Sequence, residues 1–282
     1  VLVATVLALA AAVLHAGWNL AVKTAEGDRF VTLWGQFFCG GTIGIIGLVV
    51  AGAAGHTMPW SAVWWVAASG TVHLPYCWFL ARAYAHGDFS LVYPLARGGG
   101  ALIAAFGGVV LLGDRLSPLG IVSIVVVCAG LTLLAGSSAM HARSAMVAAA
   151  VVAATIGAYS VIDAHGVRSS GTRLYALASV IGTMVSTTVF LVASRRTSEM
   201  VAAMRTGWRR FGAMGLATTV TYGMVQVAFS MAPVGYVTAL RESSVVIAAL
   251  VGTRLLGESA GGRRTTAAGL VLGGLVLLVV AR

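Results

Sequence analysis

Two arginines, Arg97 and Arg241, stand inside apolar runs at residues 89–112 and 234–256. A guanidinium keeps its charge in almost any setting, and its planar fork matches a carboxylate through two parallel hydrogen bonds. Such a charge is costly in an apolar medium, so it must turn towards other polar groups or towards a ligand. The candidates to join it recur at helical spacing. His15, Trp18 and Asn19 lie at i, i+3 and i+4. His73, Tyr76 and Cys77 repeat that pattern, with Trp78 beside them. Tyr93/Arg97, Tyr159/Asp163 and Tyr222/Gln226 are i, i+4 pairs, and Tyr236 and Glu242 flank Arg241. Buried tyrosines need hydroxyl partners, and Asp163 or Glu242 could pair with either arginine. Together, guanidinium, carboxylate and aromatic groups suit a small polar ligand with a carboxylate.

The elements that would position these residues are apolar runs at about 1–22, 31–54, 61–85, 89–112, 118–136, 145–167, 172–194, 211–231, 234–256 and 265–281. Each is long enough for a helix crossing a core of about 30 Å. Gly, Pro and charged residues punctuate them, and Ser117-Pro118 reads as an N-cap followed by proline in the first turn. Residues 194–210 read as a polar linker with an interfacial Trp208. Residues 1–22 read as the first spanning helix rather than a cleaved leader, since no basic stretch precedes them.

Composition agrees. The chain is 59% hydrophobic and 9% charged, against about a quarter charged in soluble domains. The net charge of +10 comes from short loops between apolar runs, which argues for cytoplasmic membrane loops and against nucleic acid as a partner. Cys39, Cys77 and Cys128 sit singly in apolar runs, with no metal-ligand spacing. There is no P-loop lysine motif, no HExxH and no nucleophile triad, and no cofactor is expected. A membrane-embedded transferase acting on a lipid-linked substrate, or a non-transporting scaffold, are the alternative classes. The first would need clustered acidic metal ligands, and the second gains nothing from polar groups deep in the bilayer.

The distance between the two arginines describes the whole chain. From Arg97 to Gly113, eight of seventeen residues are identical to the residue 144 later, and Asp114 then meets Glu258. The register runs without a gap from 1–138 onto 145–282, with 139–144 as linker, and pairs His15 with Tyr159, Asn19 with Asp163, Trp78 with Tyr222 and Arg82 with Gln226. Five helices is an odd number, so the second half must enter the membrane from the opposite side. The expected fold is an all-α membrane protein of ten transmembrane helices in a 5+5 inverted-topology repeat, its site near the midplane between the halves. Gly40/Gly44 and Gly269/Gly273 are GxxxG pairs that read as helix packing. Twelve Lys/Arg fall on the side of the first inter-helix loop and four on the other. The positive-inside rule would therefore place both termini outside. Asp114, Glu258, Arg115 and Lys23 read as interfacial anchors.

Ten helices in a five-plus-five duplication, with His15-Ala-Gly-Trp18-Asn19-Leu-Ala-Val-Lys23 closing helix 1 and Leu112-Gly113-Asp114 and Leu256-Gly257-Glu258 closing helices 4 and 9, resemble the EamA-type members of the drug/metabolite transporter superfamily. The resemblance covers essentially the whole chain. It implies a basket in which helices 1, 3, 4, 6, 8 and 9 line a central cavity while helices 5 and 10 lie outside. It also implies both termini in the cytoplasm, against the charge count. The expected function is secondary-active export or exchange of an amino acid or organic acid across the cytoplasmic membrane, by alternating access and without enzymatic chemistry. A proton could be the coupling ion, with Asp163, whose repeat partner Asn19 is neutral, as its carrier. The working unit would be a monomer or a homodimer.

Overall fold

The computed structural model describes residues 1–85, 89–135, 143–171, 173–247 and 262–281. Among these, the protein is all α-helical. The helices are α1 (Leu2–Lys23), α2 (Arg29–Ala53), α3 (Ser61–Ala85), α4 (Phe89–Leu112), α5 (Pro118–Ala135), α6 (Arg143–Ser170), α7 (Tyr175–Ala193), α8 (Thr197–Phe229), α9 (Val234–Arg241) and α10 (Gly262–Val280). Four stretches are long and apolar enough to cross a bilayer: Leu2–Val22, Arg29–Ala53, Val147–Ser170 and Tyr175–Ala193. Large apolar side chains on several helices, such as Val13, Ile46, Phe106, Val189 and Val276, are exposed. An aqueous protein does not hold that much apolar surface in water. These features point to a multi-pass membrane protein.

Local chemistry sets the helix starts. Asp28 caps α2, its Oδ1 accepting from the amides of Phe30 at 2.6 Å and Val31 at 3.2 Å. Burial alone would raise the Asp28 carboxyl. Hydrogen bonds from Arg196 and from these two amides outweigh it and hold the group below its ordinary value. Ser117 caps α5 as its sequence predicts, with the Gly120 amide 3.0 Å from its Oγ. Two element readings change: the run expected as one helix from 234 is interrupted at Glu242, and the other is the 194–210 linker. It is helix from Thr197 onward, and α8 runs for 33 residues, about 50 Å at 1.5 Å per residue and longer than a bilayer core. Charged residues there, including Arg205, Arg209 and Arg210, are compatible with helix once the turns leave the apolar layer. Apolar periodicity misses helix of that kind.

Packing follows a regular scheme. α3 lies against α6 and α7, while α8 lies against α1 and α2; α4 packs on α6 and α9 on α1; α5 pairs with α10, and α2 with α7. Glycines permit the tightest crossing. A Cβ on Gly70 would lie 2.4 Å from the carbonyl carbon and oxygen of Gly182, and one on Gly182 would lie 2.5 Å from the Val66 carbonyl oxygen. Of the GxxxG pairs, Gly40 and Gly44 do face backbone on α8 and α7, whereas Gly269 and Gly273 face nothing within 4 Å and Gly274 makes the contact with α5 instead.

Candidate functional site

The polar residues of the apolar runs turn inward, as lipid requires. His15, Asn19, His73, Arg97, Asp163, Gln226, Arg241 and Glu242 are all buried, with no more than 4% of any of them exposed. All but Gln226 belong to two groups near Arg241.

The first group is aromatic. His73 of α3 stacks on Tyr159 of α6, their ring centroids 4.2 Å apart and nearly parallel at 26°. Tyr76 packs edge-on against both, at 5.9 and 5.7 Å. Phe37 of α2 closes the group at 6.4 Å from both His73 and Tyr222. His73 Nδ1 lies 2.8 Å from the Ser69 carbonyl oxygen, which can only accept, so that nitrogen carries the proton. In the neutral ring Nε2 then accepts from the Tyr222 hydroxyl, also at 2.8 Å. This fixes the orientation of the imidazole and links α3 to α8.

The second group is ionic. Arg97 of α4 donates from Nε to Glu242 Oε2 at 2.9 Å. Glu242 is where α9 changes. The helix ends at Arg241, Glu242 is a single turn residue, and helical backbone resumes at 243–247. Consecutive side chains on a helix point about 100° apart, so Glu242 meets α4 while Arg241 turns elsewhere. The guanidinium of Arg241 is close enough to act electrostatically on His15, His73, Asp163 and Tyr222, which belong to α1, α3, α6 and α8. Arg97 acts on His15 as well. Asp163 accepts from the Tyr175 hydroxyl at 3.2 Å and lies beside Ser69.

Several polar atoms here have no hydrogen-bond partner among the described residues. They are both ring nitrogens of His15, Nε1 of Trp18, Nε of Arg241 and Oγ of Ser244. His15 and Trp18 touch edge to face at 4.5 Å, while Asn19 donates back to the His15 carbonyl at 2.8 Å. Each buried donor left unsatisfied costs about 1–3 kcal/mol.

Other sequence candidates lie apart. Trp78 packs with Phe30 and Phe190 at 5.5 and 5.3 Å, under the Arg82 guanidinium, and does not reach the His73 cluster. Gln226 donates to Ser179 of α7 at 2.8 Å. The hydroxyl of Tyr236 is 2.7 Å from Thr5 Oγ1, joining α9 to the start of α1 rather than to Arg241. The side chains of Tyr93 and Lys23, and Glu258 as a whole, lie outside the described residues. Sequence reasoning missed Tyr175, Ser69 and Phe37. Gly166 holds a signal for Tyr175, because a Cβ there would lie 2.2 Å from its Cζ, but only the fold says which ring fills the space.

At the end of the bundle where α4, α6 and α8 stop and α9 begins lies a further polar group. Arg168 donates from Nη1 to Asp114 Oδ1 at 2.7 Å, from Nε to the Phe229 carbonyl at 2.8 Å and from Nη2 to the Ala232 carbonyl at 3.0 Å. The amide of Val234 donates to Asp114 Oδ2 at 2.6 Å. Asp114, expected as a simple interfacial anchor, holds two elements besides its own.

No protein-family description matches the sequence, and no curated protein does. Solved structures do match. One, described only as "Crystal structure of protein", superposes with a TM-score of 0.73 at 18% identity, over 99% of this chain and 99% of that one. The fold is thus one already seen in a solved structure of matching extent.

Proposed function

We propose that the chain is a secondary-active transporter of a small carboxylate-bearing metabolite, an amino acid or organic acid, in which two five-helix halves, 1–138 and 145–282, alternate access to the site around Arg241. The packing scheme supports the inverted repeat and its ten crossings. Exchanging each helix for the one five later turns α3·α6 into α8·α1, α3·α7 into α8·α2 and α4·α6 into α9·α1, and leaves α5·α10 and α2·α7 unchanged.

One observation carries the reading of the site. Arg97 has a carboxylate at the position after its repeat equivalent, Glu242, but the residue 144 before Glu242 is Gly98. Arg241 therefore has no reciprocal carboxylate, and its Nε is without a partner among the described residues. A buried guanidinium in that position suits the carboxylate of a ligand. Asp163, which lies near Arg241 and whose register partner in the other half is neutral Asn19, is the group proposed to carry a coupling proton. Asp163→Asn would then flatten the pH dependence of transport.

The test is a thermal-shift panel of amino acids and organic acids on purified protein, followed by counterflow of any binder in proteoliposomes. A ligand of the folded state raises its stability. Arg241→Lys is expected to fold and to lose roughly tenfold to a hundredfold in affinity, the worth of a charge-assisted contact. Absence of any binder across both classes, or a lysine variant that binds like the parent, would overturn the reading.

A further inference from the structure

The Asp114–Arg168 group uses its bonding capacity in a way an anchor does not need. Gly113, at φ +68°, turns the chain after α4 so that Asp114 folds back, its amide donating to the Gly108 carbonyl at 3.0 Å. Gly108 must be small for this, since a Cβ there would lie 2.8 Å from Asp114 Oδ2 and 3.2 Å from Val234 Cβ. The two carboxylate oxygens then divide their work, one on Arg168 and the other on the Val234 amide. That amide is the first of α9, and no carbonyl within its own helix can accept it. Arg168 in turn closes two carbonyls at the α8 end. Four helix ends thus meet in one ion-paired cluster, with the arginine side chain 28% and the aspartate side chain 9% exposed.

α9 is the helix that carries Arg241, which lies seven residues, or about 10 Å, beyond Val234. We propose that Asp114 and Arg168 form the gate that closes one face of the bundle over the Arg241 site, and that this pair must part for the site to open there. The proposal rests on the alternating-access reading. The pair is suited to the task because its partial exposure lets water replace the broken bonds, while the deeper Arg97–Glu242 pair has no such exchange. The opposite end is built differently: the residue 144 before Arg168 is Thr24, and there the Arg210 guanidinium donates to the Ala21 carbonyl and the Thr24 hydroxyl. The two ends of the bundle are therefore not copies of one another, and the Asp114–Arg168 pair belongs to one of them.

The test places a single thiol at the site and asks from which face it is reached. In a background with Cys39, Cys77 and Cys128 replaced by serine, Ser244→Cys puts a near-isosteric thiol one turn beyond Arg241. A membrane-impermeant cationic methanethiosulfonate is applied to right-side-out and to inverted vesicles. Asp114→Asn keeps an oxygen for the Val234 amide and removes the charge; Arg168→Lys removes the chelation of the two carbonyls. Both are expected to raise the labelling rate from the Asp114–Arg168 face roughly tenfold, with the rate from the other face unchanged. Equal acceleration from both faces, an unchanged rate alongside a lower melting temperature, or a thiol that is never labelled would each overturn the gate. The readout needs no substrate. A gate that opens in a protein binding nothing in the ligand panel would fail the functional reading and leave this one standing.

Discussion

Arg97 and Glu242, 145 positions apart, meet at 2.9 Å between Nε and Oε2, each with its side chain 2% exposed. No other ion pair among the described residues is buried so deeply. Removing one partner deprives a deeply buried charge of its counter-ion. Glu242→Gln or Arg97→Gln should each destabilise by about 3–5 kcal/mol. The double variant should recover most of that loss, because neither charge then remains. Thermal unfolding of the four proteins in one detergent measures the coupling directly. Additive losses would show that the two side chains do not depend on each other.

The α3–α7 crossing gives a sharper packing test. At Gly70 a methyl group would meet backbone of Gly182, which cannot rotate away. Gly70→Ala should cost about 1–3 kcal/mol or more by overpacking and lower the yield of folded protein. On α8, a methyl group added at Gly223 would meet nothing within 4 Å, and the backbone there has no positive φ. Gly223→Ala should be neutral or stabilise by up to about 1 kcal/mol through helix propensity. Equal behaviour of the two variants would mean that the crossing is wider than described.

Asp28 ties the α2 start to α8 outside the apolar layer. Arg196 donates from Nη2 to its Oδ2 at 2.5 Å and also binds Glu199. Its carboxyl is held below the ordinary value of 3.8. The stabilisation this implies is present at neutral pH and is lost as pH falls below that value and through the lower folded one. Asp28→Ala should cost about 0.5–2 kcal/mol as a lost cap. Asp28→Asn keeps a capping oxygen but cannot titrate, so its stability should fall less steeply on acidification than the parent's. Parallel acid profiles for the parent and the asparagine variant would dismiss the ion pair as a contributor.

Trp208, 58% exposed and under the Arg209 guanidinium at 5.3 Å, sits on the part of α8 that exceeds the bilayer core. Indole and arginine together favour the headgroup layer. The fluorescence lost in Trp208→Phe should be quenched by lipids brominated near the headgroup more than by lipids brominated deep in the chains. Stronger quenching from the deep positions would put this turn of α8 inside the hydrocarbon.

Apart from the first turns of α8, the helical segments, and which polar residues are buried, are written in the chain alone. An apolar run offers its backbone no partner outside the run, so it must satisfy itself as helix, and the ends of α3, α4 and α5 fall within a residue of where the pattern stops. Every charged or imidazole group deep in such a run had to turn inward, and His15, His73, Arg97, Asp163 and Arg241 do. Helical spacing also foretold that His73 and Tyr76 share a face. Which side chains meet one another is a matter for the assembled bundle. Arg97 had two candidate carboxylates and takes Glu242, one helical step beyond Arg241 and so turned towards α4. Trp78 leaves the site for Phe30 and Phe190, and Tyr236 reaches Thr5. Arg168 gathers Asp114 and two carbonyls from segments up to 64 positions away. Spacing along one helix sets directions relative to that helix alone. The rotation of each helix about its axis is set by contacts such as Gly70 on Gly182, which involve two distant segments at once and leave no periodic mark on either.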